Sequence, residues 1–133
     1  MPAQPAAGAR VRRLLIVEDD EVLGRELVRR TRDLGWQAEL AASVEPALSA
    51  VGRAPLAVLL CDLHLPGGNG LRVIAAAAAL DPQPHIIAMT GMVDAGFYLE
   101  VARRAGAHGV LAKPFTAAQL AAALAGSPSA NPA

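Results

Sequence analysis

Reactive side chains in this chain stand where apolar runs stop. Leu14-Leu15-Ile16-Val17 runs into Glu18-Asp19-Asp20-Glu21, which gathers four of the twelve acidic residues in one place. Leu59-Leu60-Cys61 runs into Asp62, and Pro66 and three glycines follow within a few positions. Thr90 closes the apolar stretch that begins at His85, and Lys113, the sole lysine beside eleven arginines, follows Val110-Leu111-Ala112. Carboxylates brought to one pocket repel one another and stay ionised only beside a compensating cation. Hard oxygen ligands with open positions suit Mg²⁺, which keeps several waters and accepts a phosphoryl oxygen. A hydroxyl (Thr90) and an ammonium (Lys113) opposite the acids can hold the remaining phosphoryl oxygens. A central Asp62 between metal and ammonium is then placed as a nucleophile that forms an aspartyl phosphate.

That chemistry requires the chain to bring the four sites together. The unalternating run 14–17 reads as a strand buried on both faces. Residues 22–34 carry Leu23, Leu27 and Leu34 on one stripe and Arg25, Arg29 and Arg32 on another, an amphipathic helix with Gly35 as its C′ residue. A strand over 36–41 follows, then a helix capped by Ser43 and running to about residue 52, with Pro46 in its first turn. The third strand spans 56–62. After the glycine-rich loop, where no regular structure is expected, an alanine-rich helix covers 71–80. The fourth strand covers 85–90, and Asp94 caps a helix that ends near Ala105 and is closed by Gly106. The fifth strand covers 110–112, and Thr116 caps a helix over 117–125. Asp20 and Glu21 read as favourable charges at the first helix N-terminus.

Five β-α units call for a doubly wound parallel sheet with helices on both faces. In open sheets of that kind ligands bind at the carboxyl ends of the strands. Glu18-Asp19-Asp20, Asp62, Thr90 and Lys113 fall at the ends of strands one, three, four and five, so all four sites meet at one edge. Cys61 alternates with Asp62 and faces the core. Phe97, Tyr98 and Val101, at helical spacing, read first as packing residues, with Tyr98 as the alternative candidate for an exposed partner surface.

Composition excludes several classes. The chain of 133 residues is one domain, and 53% hydrophobic residues with only 3% aromatics give a core of aliphatic side chains. Lys plus Arg equals Asp plus Glu at 12 each, so the basic excess of a nucleic-acid-binding surface is missing. One cysteine rules out an internal disulfide and fits a reducing cytoplasm. The longest apolar run, 73–80, is too short to span a bilayer, and the N-terminus lacks the apolar region of a signal peptide. The protein is therefore expected to be cytoplasmic. Residues 1–10 read as a disordered lead-in, 11–125 as the domain and 126–133 as a disordered tail. His64, His85 and His108 lack metal-ligand spacing.

The motifs Leu14-Leu15-Ile16-Val17-Glu18-Asp19-Asp20, Cys61-Asp62-Leu63-His64-Leu65-Pro66-Gly67, Met89-Thr90-Gly91 and Lys113-Pro114-Phe115 resemble those of CheY-like receiver domains of bacterial two-component response regulators. The resemblance runs from about Arg13 to Leu124. It implies a flavodoxin-like α/β fold with five parallel strands in the order 2-1-3-4-5 and five helices. It also implies that Asp62 takes a phosphoryl group from the phosphohistidine of a sensor histidine kinase or a histidine phosphotransfer protein. Mg²⁺ would be held by Asp19 and Asp62 directly, by Glu18 through water and by the backbone carbonyl of His64. Thr90 and Lys113 would hold the phosphoryl group, and the Lys113–Pro114 peptide would be cis. The protein would be a phosphoacceptor that promotes its own phosphorylation and dephosphorylation rather than an enzyme with a separate substrate. Its partners would be the kinase or phosphotransfer protein, docked on the arginine-bearing first helix, and a downstream protein target. Direct nucleic-acid or membrane binding is not implied, and the state would be monomer or phosphorylation-dependent dimer.

One departure stands out. The position three before the lysine, usually Tyr or Phe in this family and part of its switch, is Val110. His64 and Met92, two residues past the Asp and the Thr, are variable family positions that flank the phosphoryl group and influence how fast water attacks it. Three other readings stay beside the leading one. A receiver cut from a hybrid kinase or larger regulator shares every motif. A pseudo-receiver would have lost the Asp, the acidic pair or the Lys, all of which are retained. A dehalogenase-type phosphatase would place a second Asp at position 64, where this chain has histidine.

Overall fold

The computed structural model describes residues 11–66, 68–91 and 95–127. Along the chain the elements are β1 (Arg13–Val17), α1 (Glu21–Asp33), β2 (Gln37–Ala41), α2 (Val44–Val51), β3 (Val58–Asp62), β4 (His64–Leu65), β5 (Gly68–Asn69), α3 (Gly70–Ala78), β6 (His85–Gly91), α4 (Ala95–Ala105), β7 (Gly109–Lys113) and α5 (Ala117–Ala125). The five longer strands form one parallel sheet in the order β2-β1-β3-β6-β7. Counting only those five, that is the order 2-1-3-4-5.

Strand alternation divides the core into two layers. Leu15, Val17, Leu59, Cys61, Ile86 and Ala88 pack against Ala47 of α2, Ile74 of α3 and Ala102 of α4. Leu14, Ile16, Val58, Leu60, Ile87 and Met89 pack against Leu27 of α1 and Leu120 of α5. Both faces of the sheet are thus covered, which is why β1, β3 and β6 read as continuous apolar runs, whereas the edge strand β2 alternates with Gln37 and Glu39. Among the described residues no helix is long and apolar enough to cross a membrane.

Local chemistry sets the element ends. Asp20 caps α1, its side chain accepting from the Leu23 N–H at 3.0 Å, and Gly35 takes the left-handed conformation at φ 96°. Leu34 lies just past the last turn of α1 and is exposed, so it does not belong to the buried stripe. Ser43 occupies the N-cap of α2 without a side-chain bond, whereas Thr116 and Gln119 form a reciprocal capping box on α5. The loop after Asp62 was expected to be irregular, yet β4 and β5 pair as a short antiparallel ladder, His64 opposite Asn69 and Leu65 opposite Gly68. On α4, Phe97 is 69% exposed, a correction to its reading as a packing residue. The core-facing stripe of that helix instead runs through Tyr98, Ala102 and Ala105, at i, i+4 and i+7, with Ala102 buried and the other two half-buried. Past α5, Gly126 caps the helix and the Ser127 side chain is buried. Residues 1–10, Met92, the Asp94 cap and residues 128–133 lie outside the described residues.

Candidate functional site

Strand register brings the reactive residues to one edge. Val17 aligns with Cys61, Asp62 with Met89, and Gly91 with Lys113, so β1, β3, β6 and β7 end at the same edge of the sheet, with β6 and β7 reaching slightly further. Asp62 ends β3 and is buried. Its Oδ1 accepts from the His64 backbone N–H at 2.8 Å and its Oδ2 from the Lys113 ammonium at 2.6 Å. That same Nζ donates to Glu18 Oε1, also at 2.6 Å. Glu18 is only 1% exposed, while Asp19 beside it faces solvent. The other Glu18 oxygen accepts from the Asp20 N–H at 3.1 Å. Lysine is suited to this bridge, since a compact ammonium can meet two carboxylates from different strands.

Burial sets the electrostatics. Desolvation pushes the Glu18 carboxyl up from the usual range, and the nearby Asp62 carboxylate adds to this against the pull of the Lys113 hydrogen bond. For Lys113 burial works to lower the pKa, but hydrogen bonds to Asp62 and Glu18 outweigh it and the net shift is upward. The ammonium is therefore held charged. Ligand oxygens of Glu18, Asp19 and Asp62 lie within 4.8 Å of one another, a set of hard donors that fits a divalent cation such as Mg²⁺.

The loop after Asp62 is shaped by a glycine. A Cβ on Gly70 would fall 2.0 Å from the Asp62 carbonyl oxygen, so only glycine permits the close pass of α3 beneath the site. Cys61, one residue before Asp62, points into the opposite core layer, and burial raises its thiol pKa steeply. It takes no part in the pocket. Thr90 is fully buried, and its Oγ1 lies 3.3 Å from the His64 Nε2. Sequence reasoning placed His64 at the edge of the site but missed this contact, which depends on the β4–β5 ladder. The Lys113–Pro114 peptide is cis, as is Asp81–Pro82. Among the described residues the acidic cluster includes no histidine, and His85 and His108 stack on each other with ring centroids 5.0 Å apart.

The family model for the response regulator receiver domain matches residues 14–125. The chain belongs to that family. As a receiver domain it is a component of two-component signalling. It is 35% identical over 111 residues to the photosynthetic apparatus regulatory protein RegA of Rhodovulum sulfidophilum, covering 84% of this chain and 60% of that protein. The corresponding figures for RegA of Rhodobacter capsulatus are 34% over 113 residues, 85% and 61%. The receiver thus spans about three-fifths of these curated relatives. Among solved structures it resembles a response regulator of Burkholderia pseudomallei with a phosphorylated aspartic acid, calcium ion and citrate. That match has 29% identity and a TM-score of 0.74, covering 85% of this chain and 66% of the other. A CheY-like receiver domain protein of Methanospirillum hungatei matches at 27% identity and a TM-score of 0.75, with 84% and 88% covered. The chemotaxis response regulator CheY4 of Vibrio cholerae, at 23% identity and a TM-score of 0.79 over 87% of this chain and 98% of that one, shares the fold.

Proposed function

We propose that this receiver is a phosphoacceptor in which Asp62 takes a phosphoryl group from a phosphohistidine. A carboxylate oxygen of Asp62 forms the new O–P bond, the P–N bond to the donor imidazole breaks, and the electron pair of that bond leaves with the imidazole nitrogen. The observation that carries this reading is the bridge from one lysine to two buried carboxylates, Lys113 Nζ to Asp62 and Glu18 at 2.6 Å each. It supplies a fixed positive charge beside the oxygen that attacks, where the charge of the incoming phosphoryl oxygens accumulates. Thr90 adds a hydroxyl donor on the neighbouring strand end. Glu18, Asp19, Asp62 and the His64 backbone carbonyl would hold Mg²⁺, which supplies charge neutralisation for the phosphoryl oxygens when bound. The phosphorylated aspartic acid and calcium ion of the Burkholderia pseudomallei relative support the same assignment here.

Such a protein promotes the transfer to itself and the later hydrolysis, and has no separate substrate to turn over. Its donor is a sensor histidine kinase or a histidine phosphotransfer protein, and its output is a protein whose binding depends on the state of Asp62. α1 is proposed as the donor-docking helix. Its arginines are partnered along the helix, Arg25 with Glu21 at 3.3 Å and Arg29 with Glu26 at 2.7 Å, so an acidic partner would have to exchange these exposed pairs for its own.

The test is intact-mass measurement after incubation with a small-molecule phosphodonor, with and without Mg²⁺, beside an Asp62→Asn variant. A single phosphoryl adduct that requires both Mg²⁺ and Asp62 is expected. An adduct of equal yield in Asp62→Asn, or none in the wild type while the folded protein binds Mg²⁺ and a cognate kinase is supplied, overturns the reading.

A further inference from the structure

Thr90 stands apart from the other pocket residues in the layer it serves. Glu18, Asp62 and Lys113 follow the alternation of Ile16, Leu60 and Leu111, the layer packed on α1 and α5. Thr90 follows Ile86 and Ala88, the layer packed on α2, α3 and α4. Its hydroxyl meets the His64 Nε2 at 3.3 Å. The His64 ring in turn meets Tyr98 of α4 edge-on, with centroids 4.9 Å apart and planes at 86°. Tyr98 meets Phe97 the same way, at 5.0 Å and 78°, and Phe97 is exposed. Four side chains therefore connect a fully buried hydroxyl in the pocket to the solvent face of α4. Val110 packs against the same core cluster as Tyr98 but carries no ring.

We propose that Tyr98, held against His64, is the positioning residue through which α4 reads the engagement of Thr90, so that a ring on the helix does what no ring at residue 110 can do. The proposal rests on the reading that Thr90 binds a phosphoryl oxygen on Asp62. A threonine hydroxyl has one proton. Once Thr90 donates it to a phosphoryl oxygen, its oxygen can only accept from His64, and the imidazole must present an N–H to it. The hydroxyl turns, the ring follows, and the edge-on packing of Tyr98 is re-formed in a new place. Close-packed side chains pass such shifts on rather than absorb them. Phe97 carries the change to the surface, where a protein partner can sense it.

The experiment is aromatic NMR of the full chain, with labelled His, Tyr and Phe rings, before and after adding Mg²⁺ and beryllofluoride as a phosphoryl mimic. In the wild type the ring signals of His64, Tyr98 and Phe97 are expected to move together with the backbone signals of Asp62 and Thr90. In Tyr98→Leu the pocket and His64 signals should still move while the Phe97 response is lost. Tyr98→Phe, which keeps the ring, should restore it. A Phe97 response that survives in Tyr98→Leu, or pocket signals that move in the wild type with Tyr98 unmoved, overturns the proposal and leaves the phosphoacceptor reading intact. If no pocket signal moves although Mg²⁺ binds, the phosphoacceptor reading fails and takes this proposal with it.

Discussion

At the scale of single residues, the site is a charge balance made from strand ends. Glu18 and Asp62 are buried acids that stay in place because one ammonium bridges them, and the sole lysine of the chain is that ammonium. The types and positions of these residues were legible in the sequence, since each closes an apolar run. Which oxygen meets which donor was not, because that depends on strand register. Gly70 was legible only as a loop breaker. Its true constraint is the Asp62 carbonyl oxygen that a Cβ would meet at 2.0 Å, an atom of rigid backbone that cannot turn aside. Gly70→Ala is therefore expected to destabilise the fold by about 3 kcal/mol, at the upper end for forced overpacking. It should also lower the yield of phosphoryl adduct, because relief of the clash moves Asp62. Urea unfolding and intact mass on the same sample would check both. An unchanged midpoint would mean that α3 can draw back freely.

At the scale of elements, period and capping residues placed the helices and strands to within a few residues. Apolar runs bounded by Gly and Pro are a strong local signal. The β4–β5 ladder was hidden because two paired residues on each side carry no pattern of their own. Phe97 was misread because adjacent helix positions lie about 100° apart, so packing Tyr98 against the core turns Phe97 outward. A histidine pair sits at the far end of the sheet from the site. His85, at the start of β6, stacks on His108 with ring centroids 5.0 Å apart, while His108 Nδ1 accepts from the Ile86 N–H at 2.9 Å. Burial first, and the neighbouring His108 second, lower the His85 pKa below its ordinary 6.5. The folded state therefore disfavours the charged ring. The contribution is intact above pH 6.5 and is lost as the pH falls through the lower folded value. Thermal midpoints should drop as the pH falls below 6.5, and His85→Gln should flatten that slope. A wild-type midpoint constant over this window would contradict the account.

At the scale of the whole molecule, the fold is a device for bringing four strand ends to one edge. The β-α repeat made the doubly wound sheet readable from sequence, because unalternating strands need helices on both faces. The division of labour between the two layers was not readable, and it separates Thr90 from the acids. A ligand that binds only the folded state stabilises the whole domain through mass action, by about 2.7 kcal/mol at one hundred times its dissociation constant. Mg²⁺ is accordingly expected to raise the melting temperature of the wild type. Asp19→Asn should lose most of that rise while melting normally without metal, since the Asp19 side chain is exposed. An equal Mg²⁺ response in the variant would place the ion elsewhere. The central claim is that Asp62, and no other acid of the cluster, carries the phosphoryl group. Its most direct test is to phosphorylate the protein with Mg²⁺ present, reduce the acyl phosphate with borohydride, and locate the product by peptide mass mapping. Reduction converts a phosphorylated aspartate to homoserine with release of phosphate, and the account predicts homoserine at position 62 alone. Homoserine at position 19 or 20, or a phosphoryl group that resists reduction, would contradict it.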